Sequence, residues 1–318
     1  MHPITKRILS GDVRAAARAI TWIEDDFPDK AQILREIYPH TGKAILIGFT
    51  GSPGAGKSSL VDALLTFLRA ESLTVGVVAV DPTSPFTGGA LLGDRVRMQH
   101  HAPDPGVFIR SMGTRGNLGG LSRHTKEAVR ILDAYGCDVV IIETVGVGQT
   151  ELDIMKAADT TLVVLNPGGG DSVQAFKAGI MEIADLFVIN KSDIPGVQKL
   201  EIEVEQMLDL VKHDATWRPP IIKTIATEQK GMQELWQEIK RHTNHLRASG
   251  EGEERKVYRM RQEVTELVNQ QLYNLLLQRL QEEAFASDIE EAVDRQIDPY
   301  AVAERMVRQL IKQESESS

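Results

Sequence analysis

A chain of 318 residues with 42% hydrophobic content can bury a full core, either as one large domain with additions or as two domains. Its formal net charge of −9 argues against general nucleic-acid binding, which needs a basic face. One cysteine, Cys137, excludes an intramolecular disulfide and argues against a cysteine metal cage, and no apolar run approaches the roughly 18 residues that cross a membrane.

Residues 1–42 read as a helical extension. Ile8, Val13, Ala16, Ile20 and Ile23 recur at helical spacing, and Ser10-Gly11-Asp12 offers a break with a cap. This segment lacks the apolar core of a secretion signal, so the chain reads as a soluble cytoplasmic protein. From Lys43 to about Leu246, strand and helix patterns alternate, which predicts an α/β domain with a mostly parallel sheet covered on both faces. The strand candidates are 44–50, 74–80, 106–110, 138–142, 160–165, 185–190 and 221–225, with helices at 122–135, 199–212 and 231–246. A polar, glycine-containing stretch at 247–255 reads as a hinge, and it opens a C-terminal helical arm over 247–318. Within the arm, Val257, Met260, Val264, Leu267, Leu272, Leu275 and Leu277 form an apolar stripe longer than a lone exposed helix would carry, and Asp298-Pro299 opens a last helix.

The first chemical motif is Gly51-Ser52-Pro53-Gly54-Ala55-Gly56-Lys57-Ser58-Ser59, a phosphate-binding loop between the apolar run Lys43–Thr50 and a helix whose face carries Leu60, Leu64, Leu65 and Leu68. Strand, glycine-rich turn and helix are what phosphate chemistry requires, because backbone N–H groups and the helix N-terminus surround the anion. Lys57 is expected to reach the β- and γ-phosphates and the Ser58 hydroxyl to ligate magnesium. Asp81, at the end of the second strand, and Asp94, after a glycine-rich loop, are further magnesium candidates. Glu143 reaches the carboxyl end of the sheet on the strand 138–142, where it would hold the metal or orient the attacking water. Gly146 stands where a γ-phosphate-sensing amide is expected, but Gln149 falls two positions beyond the usual water-positioning glutamine.

Asn190-Lys191-x-Asp193, directly after an apolar strand, reads guanine. A carboxylate accepts from guanine N1–H and the exocyclic amine together, whereas adenine has neither donor and would leave Asp193 unpaired, a discrimination of orders of magnitude. Ile225, Ala226 and Thr227 sit where a backbone amide near Ala226 would meet guanine O6. The triple-glycine loop in 166–179 is pliable and lies at a strand end near the nucleotide. His100-His101 reads as a surface pair, since neighbours on a helix point about 100° apart. Trp22, Trp217 and Trp236 read as core residues.

Taken together, "GSPGAGKSS", "VDPTSPFTGGALLGDRVRM", "SMGTRGNLGGLS", "ETVGVGQTE", "PGGGDSVQAFKAGIMEIADLFVINKSD" and "GMQELW" resemble the MeaB, ArgK and MMAA group of P-loop GTPases, of the SIMIBI class, over almost the whole chain. The resemblance implies a GTP-hydrolysing chaperone that gates cobalamin loading and protects an adenosylcobalamin-dependent acyl-CoA mutase, usually methylmalonyl-CoA mutase; the missing glutamine after Gly146 predicts magnesium-dependent hydrolysis that is slow alone. It also implies a homodimer built through the C-terminal arm; the net charge and the absence of a long apolar run argue against nucleic acid or membrane as partner. The loop 166–179 matches the group's third switch loop, so Lys177 and Gln174 carry over as candidates for partner-stimulated hydrolysis. Here the loop reads Asp171-Ser172-Val173-Gln174, where many relatives have Asp-Glu-Leu-Gln. The alternative, a metal-insertion GTPase of hydrogenase or urease maturation, should bring a His-rich tail or a Cys-x-x-Cys pair, and neither is present.

Overall fold

The structure, a computed structural model, describes residues 1–81, 98–113, 123–144, 153–168, 181–211, 215–279 and 283–316. These fall into two compact units, Met1–Glu253 and Glu254–Ser318.

The first unit is built on a seven-stranded, all-parallel sheet: β1 Ile45–Gly51, β2 Val75–Asp81, β3 Val107–Gly113, β4 Val139–Thr144, β5 Thr160–Leu165, β6 Leu186–Ile189 and β7 Ile221–Lys223, in the spatial order 3-2-4-1-5-6-7. All seven expected strands form: β1, β2, β4, β5 and β6 are apolar runs largely buried on both faces, and the more exposed β3 and β7 close the two edges. β3 continues past the expected 106–110 to Gly113, and β7 stops at Lys223 because Thr224 and Ile225 turn into the site described below. The strand order places β4 between β2 and β1, so β1 changes neighbours there, and such switch points are where open α/β sheets bind ligands.

Alternate residues of the strands feed opposite faces. On one face Val78, Val80, Val140 and Ile142 pack with the helices α1 Pro3–Leu9, α2 Val13–Glu24, α3 Lys30–Ile37 and α5 Arg123–Tyr135, through Ile8, Ile20, Ile23, Ile33, Ile37, Ile131 and Leu132. On the other, Val77, Ile141, Leu162 and Val188 meet α4 Lys57–Ala70 and α7 Met232–Ser249 through Leu60, Leu64, Leu68, Leu235 and Ile239. α6 Val197–Val211 covers β5 and β6 with Leu200, Val204 and Leu208. The N-terminal helices therefore share one core with the sheet. Asp12 caps α2 as its position predicts, accepting from the N–H groups of Arg14 and Ala15 at 2.9 and 3.1 Å. Asp133 on α5 fixes the approach to β1 by accepting from the N–H groups of Lys43 and Ala44 at 3.2 and 3.0 Å.

The boundary between the two units falls within the expected hinge at 247–255, but the stretch is helical rather than an extended linker. The chain is helical on both sides of a single break, Gly250, whose φ of +82° suits glycine. The next helix, α8, spans Glu251–Arg279. The second unit also holds α9 Glu283–Val293 and α10 Pro299–Glu316, with Asp298 capping α10 through the N–H groups of Tyr300 and Ala301 at 2.9 and 3.1 Å. Its small core is Val302 and Met306 against Leu276, Ala292 and Ile297, while Val257, Val264, Val268, Leu272, Leu275 and Leu277 of α8 are exposed. Among the described residues, no helix is long and apolar enough to cross a membrane.

Candidate nucleotide site

The site begins where β1 ends. Gly51 has φ +131°, and a Cβ there would lie 2.1 Å from the carbonyl oxygen of Val164 on β5, so only glycine lets the chain leave the sheet at this point. Gly56 (φ +87°) precedes α4, and a Cβ on it would lie 2.5 Å from Asn190 Nδ2. Between them the loop folds over its own lysine: the Lys57 ammonium donates to the carbonyl oxygens of Gly51 at 2.6 Å and Ser52 at 3.0 Å. Pro53, Gly54 and Ala55 complete the turn, and Ser59 follows Ser58 in the first turn of α4.

Glu143 arrives on β4, whose register sets it beside Phe49 of β1 and Ala79 of β2. The Ser58 hydroxyl donates to Glu143 Oε1 at 2.6 Å, and both residues are buried. Two neighbouring ligands of an octahedral magnesium, each bonded at about 2.1 Å, stand roughly 3 Å apart, so this hydroxyl and carboxylate fit the hard oxygen set that magnesium takes. Asp81 ends β2, one strand over, in register with Gly113. Asp94, Gly146, Gln149, Gln174 and Lys177 lie outside the described residues.

Asn190 holds two loops at once. Its side chain is buried; Nδ2 donates to the carbonyl oxygen of Ala55 at 3.0 Å, and Oδ1 accepts from Thr224 Oγ1 and the Ala226 N–H, each at 3.2 Å. The motif asparagine thus ties the phosphate loop after β1 to the loop after β7. The Ala226 amide, expected to face guanine O6, instead points at Asn190 in this structure. Ile225 bridges to Lys230, and Ala226, Thr227 and Glu228 form a 3-10 turn that presents this amide. Thr224 was not among the expected site residues; its signal in the sequence is a hydroxyl residue just past a strand, two positions before the amide-bearing alanine.

Lys191 adopts φ +55°, a left-handed conformation that costs a non-glycine residue of order 1 kcal/mol. That geometry carries its ammonium over the phosphate loop, where it donates to the carbonyl oxygen of Gly54 at 2.8 Å. Asp193, two residues on, is exposed at the rim. The fold therefore gathers a phosphate cradle, a buried hydroxyl–carboxylate pair, a lysine stem laid over the loop and an outward-facing carboxylate along the carboxyl edge of one sheet. Such a set can hold a nucleotide by both ends.

The profile of the family described as methylmalonyl Co-A mutase-associated GTPase MeaB matches residues 16–281. A putative GTPase of Pyrococcus abyssi is 49% identical over 97% of this chain and 96% of its own length. The mouse protein named methylmalonic aciduria type A homolog, mitochondrial, is 34% identical over 77% of this chain and 63% of its own. A solved structure described as an LAO/AO transport system kinase superposes with a TM-score of 0.69 at 28% identity, covering 96% of each chain. With a family model matching most of its length and a putative GTPase 49% identical over nearly all of it, this chain belongs to the MeaB family and is a GTPase.

Proposed function

We propose that this GTPase binds magnesium–GTP at the site above and uses its hydrolysis to gate cofactor loading and protection of an adenosylcobalamin-dependent acyl-CoA mutase, methylmalonyl-CoA mutase in the first instance. The observation that carries the nucleotide assignment is Asn190, which couples the phosphate loop to the base-reading segment 190–193 through bonds to Ala55 and Ala226. Asp193 would accept from guanine N1–H and the 2-amino group, with the stem of Lys191 against the base plane. Lys57 would release the loop carbonyls and neutralise charge on the β- and γ-phosphate oxygens. Magnesium would be held by Ser58 and Glu143, with Asp81 and Asp94 as further ligands, and supplies charge neutralisation at the transferred phosphoryl group. Water attacks the γ-phosphorus, the bond to the β–γ bridging oxygen breaks, and GDP and phosphate leave; if Glu143 does not hold the metal, it would instead orient that water.

The mutase reading rests on the family description and on the mouse relative's name. Lys177 and Gln174 are the proposed elements through which the partner accelerates hydrolysis. The exposed apolar residues of α8 support a homodimer formed through the arm, since contiguous exposed apolar surface marks an interaction site.

Two measurements test this. Competition binding should favour GTP over ATP by at least about 100-fold, and equal affinities would remove the guanine assignment. Single-turnover hydrolysis with methylmalonyl-CoA mutase should exceed that without it, and Lys177→Ala should lose most of the acceleration. A mutase without effect on wild type would overturn the partner while leaving the GTPase intact.

A further inference from the structure

A second cluster of ligating side chains stands on the helix that carries the phosphate loop. Asp62 lies four residues after Ser58 on α4, and the 3-10 turn Gln99–His101 brings both of its histidines against it. His101 Nε2 is 3.2 Å and His100 Nε2 3.4 Å from the same atom, Asp62 Oδ1. The three ligating atoms lie within 4.8 Å of one another. The divergence expected of adjacent histidines does not occur: the two rings lie 4.0 Å apart, centroid to centroid, tilted by 38°.

Two of the three separations match those of a metal site. Tetrahedral zinc with bonds of about 2.0–2.1 Å sets its ligand atoms roughly 3.3 Å apart, close to both oxygen–nitrogen separations. Among the described residues, Asp62 Oδ1 is shielded from solvent and accepts no hydrogen bond of good geometry, although two imidazole nitrogens flank it. A shared cation would satisfy this acceptor. Thr66 Oγ1 is 3.5 Å from His101 Nε2 but gives its own proton to the Asp62 carbonyl oxygen at 3.0 Å.

The ligands are also held in place. The His101 N–H donates to the Met98 carbonyl oxygen at 3.1 Å, and the Asp104 N–H to that of His101 at 3.0 Å. Arg69 on α4 grips Asp104 with two bonds of 2.8 and 2.9 Å, pinning the turn to the helix. Two imidazoles and one carboxylate suit zinc, nickel or cobalt better than calcium, which takes oxygen ligands, or copper(I), which takes thiolates. Three protein ligands with His100 exposed leave a position open to water.

We propose that Asp62, His100 and His101 bind one divalent transition-metal ion of the zinc class, separate from the magnesium expected at Ser58 and Glu143.

The test uses metal-stripped full-length protein with saturating Mg2+ and GDP, titrated with Zn2+ in a calorimeter. Wild type should bind one Zn2+ per chain. His100→Ala and Asp62→Asn should each weaken it by more than roughly tenfold, the floor set by losing even an outer partner of a metal ligand. His100 has a side chain 57% exposed, so its removal leaves the fold intact. Co2+ should give the visible absorption of a four-coordinate site in wild type and lose it in His100→Ala. The proposal is overturned if wild type binds no Zn2+, if His100→Ala binds it unchanged, or if Glu143→Ala abolishes binding that His100→Ala preserves.

Discussion

Asn190 is expected to matter more to the stability of the nucleotide-free protein than any other residue of the guanine motif. Its side chain is 1% exposed, and its truncation in Asn190→Ala strands the carbonyl of Ala55, the N–H of Ala226 and the hydroxyl of Thr224, whose residues are 0%, 8% and 1% exposed. A buried group left without its partner costs about 1–3 kcal/mol, and the Thr224 hydroxyl can rotate to recover part of its loss, so the sum is about 3 kcal/mol. For a unit of this size that corresponds to a fall in Tm of roughly 6–10 °C. Asp193→Asn, at an exposed position, should stay within about 0.5 kcal/mol of wild type while shifting base preference from guanine towards xanthine nucleotides. Calorimetric melting of nucleotide-free proteins, paired with nucleotide competition, separates the two roles. If Asn190→Ala melts within about 2 °C of wild type, or if Asp193→Asn is destabilised as much, the reading of Asn190 as the clamp between the two loops is wrong.

Lys57→Ala should abolish nucleotide binding, since it removes both the phosphate contact and the bonds that shape the loop at Gly51 and Ser52; Glu143→Ala should reduce turnover more than affinity, as read by hydrolysis and binding assays side by side. Burial, then Asp138 and Asp133, push the Cys137 thiol up to about 12, so at pH 8 only about one thiol in ten thousand is ionised, and iodoacetamide should label the protein only after unfolding. Glu36 is held down at about 2 by the Gln32 amide, then by the His2 N–H and Thr5. Because its folded pKa lies below the ordinary 4.5, its contribution is present above that value and lost as pH falls towards 2; Glu36→Gln should flatten this part of the Tm-against-pH curve.

Much of the nucleotide site was legible in the sequence because its chemistry is local. A strand, a glycine turn and a helix N-terminus are consecutive in the chain, so Gly51 to Ser58 announce a phosphate cradle without any knowledge of the rest. Asn190-Lys191-x-Asp193 is likewise a four-residue statement, and continuous apolar runs such as Val139–Ile142 mark strands buried on both faces. The pairings across the sheet needed the tertiary structure. That Glu143 meets Ser58, 85 residues away, follows from β4 lying between β2 and β1, and no local pattern encodes strand order. The same holds for Asn190, whose sequence context speaks of guanine but whose buried bonds run to Ala55 and Ala226, and for Ile20 and Ile23, helical by spacing but committed to a core with Val78 and Val140 only once the sheet exists. Gly250 breaks the helix because glycine readily takes φ +82°, whereas polar composition around it suggested a longer hinge. His100 and His101 make the point most sharply: helical geometry would have turned them apart, and it took the 3-10 turn, Arg69 on Asp104 and the flank of α4 to aim both rings at one carboxylate.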